Sequence, residues 1–219
     1  LFKVRKNRPR PIRDDKILTS WNGLMISALA KAAQVLDEDD YLDEARNTAR
    51  FIKAELYDQM SGSLYRRYHK GTKGIQGYLD DYAFLIQGLL DLYETSLEEE
   101  WLLWSIDLFN EMKMHFWDEN QAGFFSTTGK DSSILLRMKN NYDGAEPSAN
   151  SVALMNLIRL GNLSGDDQLL KMVDHVQRSF LGLLNLDPVR MPLMLVAFSR
   201  STSKPMQIFL AGPRKGDDT

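Results

Sequence analysis

Asp143-Gly144-Ala145-Glu146-Pro147-Ser148-Ala149-Asn150-Ser151 stands directly before a clean apolar run, Val152 to Leu160. A polar loop that ends in Pro-Ser and opens onto such a run delivers its side chains to the start of a helix. Ser148 has the character of an N-cap, with Asn150 and Ser151 in the first turn. Two further clusters precede apolar runs in the same way. One is Asp14-Asp15-Lys16 through Trp21-Asn22-Gly23; the other is Asp80-Asp81-Tyr82.

Working outward, the order of signals repeats. Apolar residues at helical spacing predict helices over Trp21–Leu36 and Tyr41–Leu56, then a turn and a β-prone piece at Ser63–Tyr68. Gly71, Gly74 and Gly77 read as a loop. Helices at Asp81–Ser96 and Trp101–Phe116 follow. After them come a β-prone Phe124–Thr127 and an expected strand at Ile134–Lys139. The third unit has helices at Ser148–Leu160 and Asp167–Leu184. Val189–Ser199 begins a fourth, and Met206–Leu210 reads as a short strand. A shift of 60 residues lays Leu24–Ala32 on Phe84–Leu92, and a shift of 68 lays Tyr82–Leu92 on Asn150–Leu160. Trp21, Asp81 and Ala149 are then equivalent, as are Asn22, Tyr82 and Asn150. Neither helix of a pair can bury its apolar face alone, so the pairs must stack. Common helical repeats use roughly 34 to 47 residues and rarely carry β insertions. The longer period here favours an α/α toroid, an incomplete ring of helical hairpins with short β-hairpin insertions. The basic Leu1–Arg13 and the polar Gly212–Thr219 read as cut ends of a longer protein.

Composition narrows the function classes. Of 219 residues, 43% are hydrophobic, enough for a sizeable core. With 27 basic and 30 acidic side chains, the net charge of −3 gives no electrostatic reason to expect nucleic acid or a membrane surface. Charges interrupt every apolar segment, so no transmembrane span is expected. There is no cysteine, which removes disulfides, thiolate metal sites and a thiol nucleophile. His69, His115 and His175 do not form a metal motif, and the glycines do not form a phosphate loop. No metal and no cofactor are expected, and the expected location is cytoplasmic.

In a ring of repeats, the starts of the first helices share one rim. Asp14, Asp15, Trp21, Asn22, Asp80, Asp81, Tyr82, Asp143, Glu146 and Asn150 would then surround one mouth. Carboxylates with aromatics and amides suit a sugar: rings stack on the sugar face, and acids and amides bind hydroxyls or move protons. The plainer reading makes Asp14, Asp81 and Ser148 helix caps, and Trp21 and Tyr82 packing residues. Glu146 fits it less well, two residues before the cap. His69 follows the β-prone segment and could reach the mouth. Arg67, in the Arg66-Arg67 pair, is a candidate anion ligand, although a solvated strand edge explains that pair as well.

The three clusters also carry a resemblance. Arg8-Pro9-Arg10-Pro11 with Asp14-Asp15-Lys16-Ile17-Leu18-Thr19-Ser20-Trp21-Asn22-Gly23, then Tyr78-Leu79-Asp80-Asp81-Tyr82, then Asp143 to Val152, resemble the YyaL family, which includes the spermatogenesis-associated thioredoxin-like proteins. The match runs through Gln207–Gly212. The resemblance implies an α/α toroid similar to six-hairpin glycosidases and N-acylglucosamine 2-epimerases. It also implies a thioredoxin-like domain N-terminal to this part of the chain. Two positions depart from the family pattern: Ile12 stands where it usually has His, and Ala149 where Gly is common. An epimerase mechanism that relied on that His would be weakened here.

Two functions follow as expectations. The first is a carbohydrate-active enzyme, epimerase, isomerase or hydrolase, with Asp81 and Glu146 for acid/base work. Asp14, Asp15, Trp21, Asn22, Asp80, Tyr82, Asp143, Asn150, His69 and Arg67 would bind the substrate. The second is a non-catalytic binding or scaffold module serving the thioredoxin-like domain. A ring lacking hairpins exposes apolar helix faces, so a homodimer is expected.

Overall fold

Asp37, Leu97 and Gly165 each take a left-handed backbone, with φ of 56°, 55° and 67°. Each donates its N–H to the carbonyl four residues back, to Ala33, Tyr93 and Gly161. That conformation closes an α-helix by satisfying a terminal carbonyl and turning the chain. The three caps stand 60 and 68 residues apart, the spacing of the sequence repeat. Only Gly165 meets the left-handed requirement with the residue that suits it.

The structure is a computed structural model that describes residues 1–11 and 13–203. Ile12 and the expected strand at Met206–Leu210 lie outside the described residues. The chain divides into two compact units. The first holds the described residues of Leu1–Asp118 and Phe124–Asn140; the second holds Glu119–Gly123 and the described residues from Asn141 onward.

The first unit begins with a short helix, α1 (Phe2–Lys6), and strand β1 (Ile17–Leu18). Two helical hairpins follow, α2 (Thr19–Leu36) with α3 (Asp39–Glu55), and α4 (Leu79–Ser96) with α5 (Glu99–Phe116). Between them lie β2 (Tyr57–Asp58), β3 (Ser63–His69) and β4 (Thr72–Gln76). All three partners pair with β3 antiparallel. Ile17 lies opposite Tyr68, Tyr57 opposite Leu64, and Arg67 opposite Gly74. The glycine-rich stretch read as a loop is therefore strand β4. Lys70 and Gly71, at φ 49° and 79°, make the two-residue turn into it, because a hairpin turn of this twist needs positive φ at both positions. Ile75 also has φ 61°, an unusual conformation for a β-branched residue.

Helices α2 and α4 run side by side in the same direction. A methyl group on Gly23 would fall 2.6 Å from the backbone of Phe84 and Leu85. One on Gly88 would fall 2.5 Å from the Gly23 carbonyl oxygen. Further along, the Ser27 hydroxyl donates to the buried Asp91, and the Thr95 hydroxyl lies 3.3 Å from the Ala30 carbonyl oxygen. Small residues at the crossing bring the two backbones into contact. α4 is buried over most of its circumference, from Leu79 to Leu92.

The expected strands at Phe124–Thr127 and Ile134–Lys139 do not form. Phe124 makes one isolated bridge to Trp117. The segment is instead held by side-chain cations. Arg137 donates to the carbonyls of Thr127 and His115 at 2.8 and 3.0 Å and lies 4.1 Å from the Phe125 ring centre. Lys139 pairs with Asp118 at 2.7 Å.

In the second unit, α6 (Ala149–Ser164) and α7 (Asp167–Leu186) form a hairpin. A 3₁₀ turn, Pro188–Arg190, leads to α8 (Pro192–Thr202). Ser148 is the N-cap of α6, as its sequence context predicts, accepting from the Ser151 N–H at 3.2 Å. α6 is buried almost throughout, while α7 buries one stripe: Met172, Val173, Val176, Phe180 and Leu184. Among the described residues no helix is long and apolar enough to cross a membrane.

Candidate functional site

The first two polar clusters meet within the first unit, where α2 and α4 begin beside β3. Asp81, fully buried, is the centre of that meeting. Its Oδ1 accepts from the Ser20 N–H, in the first turn of α2, at 3.1 Å. Its Oδ2 accepts from the Tyr78 N–H, at the N-cap of α4, at 2.9 Å, and from the Arg66 guanidinium at 2.8 Å. One carboxylate thus closes the N-termini of two neighbouring helices, whose free N–H groups would otherwise lack partners. Burial, and then the adjacent Asp80 carboxylate, push the Asp81 carboxyl up to about 7; Arg66 and the Tyr78 amide pull it back.

Arg66 ties the cluster together. A single guanidinium nitrogen lies 3.0 Å from each oxygen of Asp80, and the group sits 4.9 Å from the Tyr78 ring centre. Its strand position explains this, since alternation puts Arg66 on the same face of β3 as the buried Leu64. Arg67 takes the opposite face, half-buried. Tyr82 is buried, accepts from the Leu64 N–H at 3.1 Å and packs on Phe116; burial raises its phenol to about 12. Asn22 donates its amide to the Leu18 carbonyl at 2.7 Å. Both residues are thereby tied into the structure at the helix starts.

The accessible groups lie at the edge of this cluster. The pairing of Ile17 with Tyr68 brings Asp15 to His69, and they meet at 2.7 Å. That hydrogen bond holds the Asp15 carboxyl below its ordinary value. Asp14 is spent on Lys16 at 2.8 Å, which lowers it likewise. Trp21 is 61% exposed in the first turn of α2.

The third cluster is built within the second unit. Asp143 Oδ1 accepts from the Ser148 N–H at 2.8 Å, and Oδ2 from the Leu193 N–H at 2.8 Å. Ser148 is the N-cap of α6, and Leu193 lies in the first turn of α8. The device resembles the one Asp81 makes: a single carboxylate joins the N-cap of one helix to the first turn of a neighbour. Asn150 is fully buried. Glu146 is exposed, in a tight turn where the Gly144 N–H donates to its carbonyl at 3.0 Å. Among the described residues there is no group of three or more His, Asp or Glu that could hold a metal ion.

Sequence reasoning weighed Arg66 only as half of the Arg66-Arg67 pair and passed over Tyr78 and Ser20. The period-two pattern of β3 was the available signal for Arg66. Tyr78 and Ser20 contribute backbone N–H groups, which no residue type announces.

No family model matches the chain. Human spermatogenesis-associated protein 20 is 38% identical over 228 residues, covering 100% of this chain and 29% of that protein. Over its whole length the chain is therefore similar to one stretch of the spermatogenesis-associated proteins. It spans 29% of the length of the human relative and 30% of a Caenorhabditis elegans relative that is 36% identical. Among solved structures, cellobiose 2-epimerase from Bacillus thermoamylovorans matches 78% of this chain and 46% of its own, with a TM-score of 0.63 and 17% identity. A family 76 α-mannanase from Bacteroides thetaiotaomicron matches 76% and 45%, with a TM-score of 0.62 and 14% identity. These likenesses establish the α/α-toroid fold class, all-α with a few short strands.

Proposed function

We propose that this part of the family is a carbohydrate-active domain that binds a sugar or polyol where α2 and α4 begin. The observation that carries the reading is the accessible edge of the buried Asp81–Arg66 cluster in the first unit. Trp21 offers an aromatic face, and Asp15 paired with His69, and Asp80 paired with Arg66, offer hydroxyl-binding charges. Sugars are bound by such a mixture of ring faces and charged acceptors. The fold is shared with proteins named as a sugar epimerase and a mannanase. In this reading Asp81 is a positioning residue, because among the described residues its carboxylate accepts from Ser20, Tyr78 and Arg66 and sets the orientation of Arg66 toward Asp80. Proton transfer needs a carboxylate within hydrogen-bond reach of the bound substrate. Asp15 is open to a substrate in the first unit, and Glu146 in the second.

Titration of the wild-type chain with a panel of mono- and disaccharides, followed by tryptophan fluorescence and calorimetry, tests the reading. Binding is expected, and Trp21→Ala is expected to weaken it by about tenfold, equivalent to ~1.4 kcal/mol. Absence of binding across the panel would overturn it. A second reading is favoured by one observation, the use of both Asp81 and Asp143 as helix-joining caps. In it the domain is a non-catalytic binding or scaffold module accompanying a thioredoxin-like domain in the full-length protein.

A further inference from the structure

The β3–β4 hairpin, residues 63–76, is a basic island in a chain of net charge −3. It carries Arg66, Arg67, Lys70 and Lys73 with His69, and no Asp or Glu. The acids around it are already matched. Asp14 pairs with Lys16 at 2.8 Å, Asp15 with His69 at 2.7 Å, and Asp80 and Asp81 with Arg66 at 3.0 and 2.8 Å. Arg67 is left over. It stands on the middle strand, opposite Leu18 of β1 and Gly74 of β4. Alternation puts it on the same face of β3 as Tyr65 and His69. Among the described residues no hydrogen bond or ion pair takes up its guanidinium, although the side chain is half-buried. A Cβ on Gly74 would lie 3.6 Å from the Arg67 Nε and 3.9 Å from Nη2, so the side chain is laid across the bare glycine of the neighbouring strand. The Lys73 ammonium sits 4.6 Å from the Tyr65 ring centre, a contact that leaves its charge in place. A partly desolvated guanidinium has five donors and needs an acceptor from outside the chain.

We infer that Arg67 is the anion-recognising group of the sugar site, and that the sugar is a uronic acid whose carboxylate is held by the Arg67 fork. This rests on the sugar-binding reading given above and names the class of sugar. The planar guanidinium matches the two oxygens of a carboxylate with two parallel hydrogen bonds. One guanidinium also balances the single charge of a carboxylate, whereas a phosphate monoester carries nearly two. His69, two residues along the same face, holds Asp15 at the edge of the site. Positions i and i+2 of a strand are about 7 Å apart, so one sugar ring can present its carboxylate to Arg67 and a hydroxyl to the Asp15–His69 pair.

Calorimetric titration of the 219-residue chain tests the assignment. The ligands are two matched pairs, glucose with glucuronate and galactose with galacturonate, together with glucose 6-phosphate. In at least one pair the uronate is expected to bind about tenfold or more tighter than its neutral hexose, the scale of a charge-assisted bidentate contact. Arg67→Gln is expected to bring that ratio close to one. Arg67→Lys keeps the charge and loses the fork, so it should lower the ratio by about threefold or more; it carries the test if Arg67→Gln fails to fold. Equal affinity for uronate and hexose in both pairs, or a ratio that Arg67→Gln leaves unchanged, would overturn the inference and leave the sugar site standing. Tighter binding of glucose 6-phosphate than of either uronate would also overturn it, by giving Arg67 to a phosphate. Failure of every one of these sugars to bind would remove the sugar site itself, and the inference with it.

Discussion

Asp81 is the residue at which electrostatics and folding are most tightly linked. Its carboxyl has an ordinary value of 3.8 and is held near 7 by burial beside Asp80. Between those values the folded chain binds a proton that the unfolded chain has released. Stability at this site is therefore greatest below about pH 4 and declines as the pH rises toward 7, with a slope of at most about 1.4 kcal/mol per pH unit. Asp81→Asn is expected to abolish that slope. It should also cost about 1–3 kcal/mol at pH 5, because an amide presents N–H groups to donors that need an acceptor. Urea unfolding of both proteins between pH 4 and 8 measures this; an unchanged slope in the variant would assign the pH dependence elsewhere. Leu97 makes the opposite case. It is 76% exposed and left-handed, so it strains the backbone at the end of α4 while burying little. Leu97→Gly should raise stability by about 0.5–1 kcal/mol, read as a higher Tm.

At the scale of elements, the joined helix starts explain why two acidic clusters precede apolar runs. Asp143→Ala removes an acceptor from both α6 and α8, and two lost caps amount to about 1.5–3 kcal/mol. Hydrogen exchange should accelerate specifically at the Ser148 and Leu193 amides; uniform acceleration would mean that the carboxylate does not act locally. Gly88→Ala probes the crossing of α2 with α4. Alanine is the better helix former by about 1 kcal/mol, yet its methyl would lie 2.5 Å from the Gly23 oxygen. A net loss of more than about 2 kcal/mol is expected by denaturant unfolding. Helix positions were legible in the sequence because apolar spacing marks them, and the structure extends several by only a few residues at one end. Ser148 was legible as a cap because its side chain does the capping. β4 was not, because Gly71, Gly74 and Gly77 read as a loop while Lys70-Gly71 supplies a hairpin turn. The strands expected after Phe124 failed for the converse reason. Their apolar pattern suits a sheet, but Arg137 and Lys139 anchor the segment through side chains and leave its backbone almost without a ladder.

At the scale of the whole molecule, the repeat determined the fold class. It survives in the structure as three left-handed caps at the repeat spacing, and the fold is shared with sugar-transforming proteins at 17% identity or less. The roles of the acids were harder to read, because capping and catalysis both favour carboxylates at helix starts. At Asp81 and Asp143 the carboxylate oxygens accept from N–H groups of two helices each. Glu146 differs from both in being exposed in its turn. Glu146→Gln keeps the shape of the side chain and removes its charge and its proton-accepting power. If the domain turns over a sugar through this residue, the rate should fall by about 10²–10⁴-fold. Tm should stay within about 0.5 kcal/mol-equivalent of wild type, as for an exposed surface position. Equal turnover in the variant and the wild type would remove Glu146 from the chemistry. A wild-type chain that binds sugars without transforming any of them would favour the scaffold reading, since binding needs the accessible edge of the first unit and turnover needs an acid free to exchange its proton.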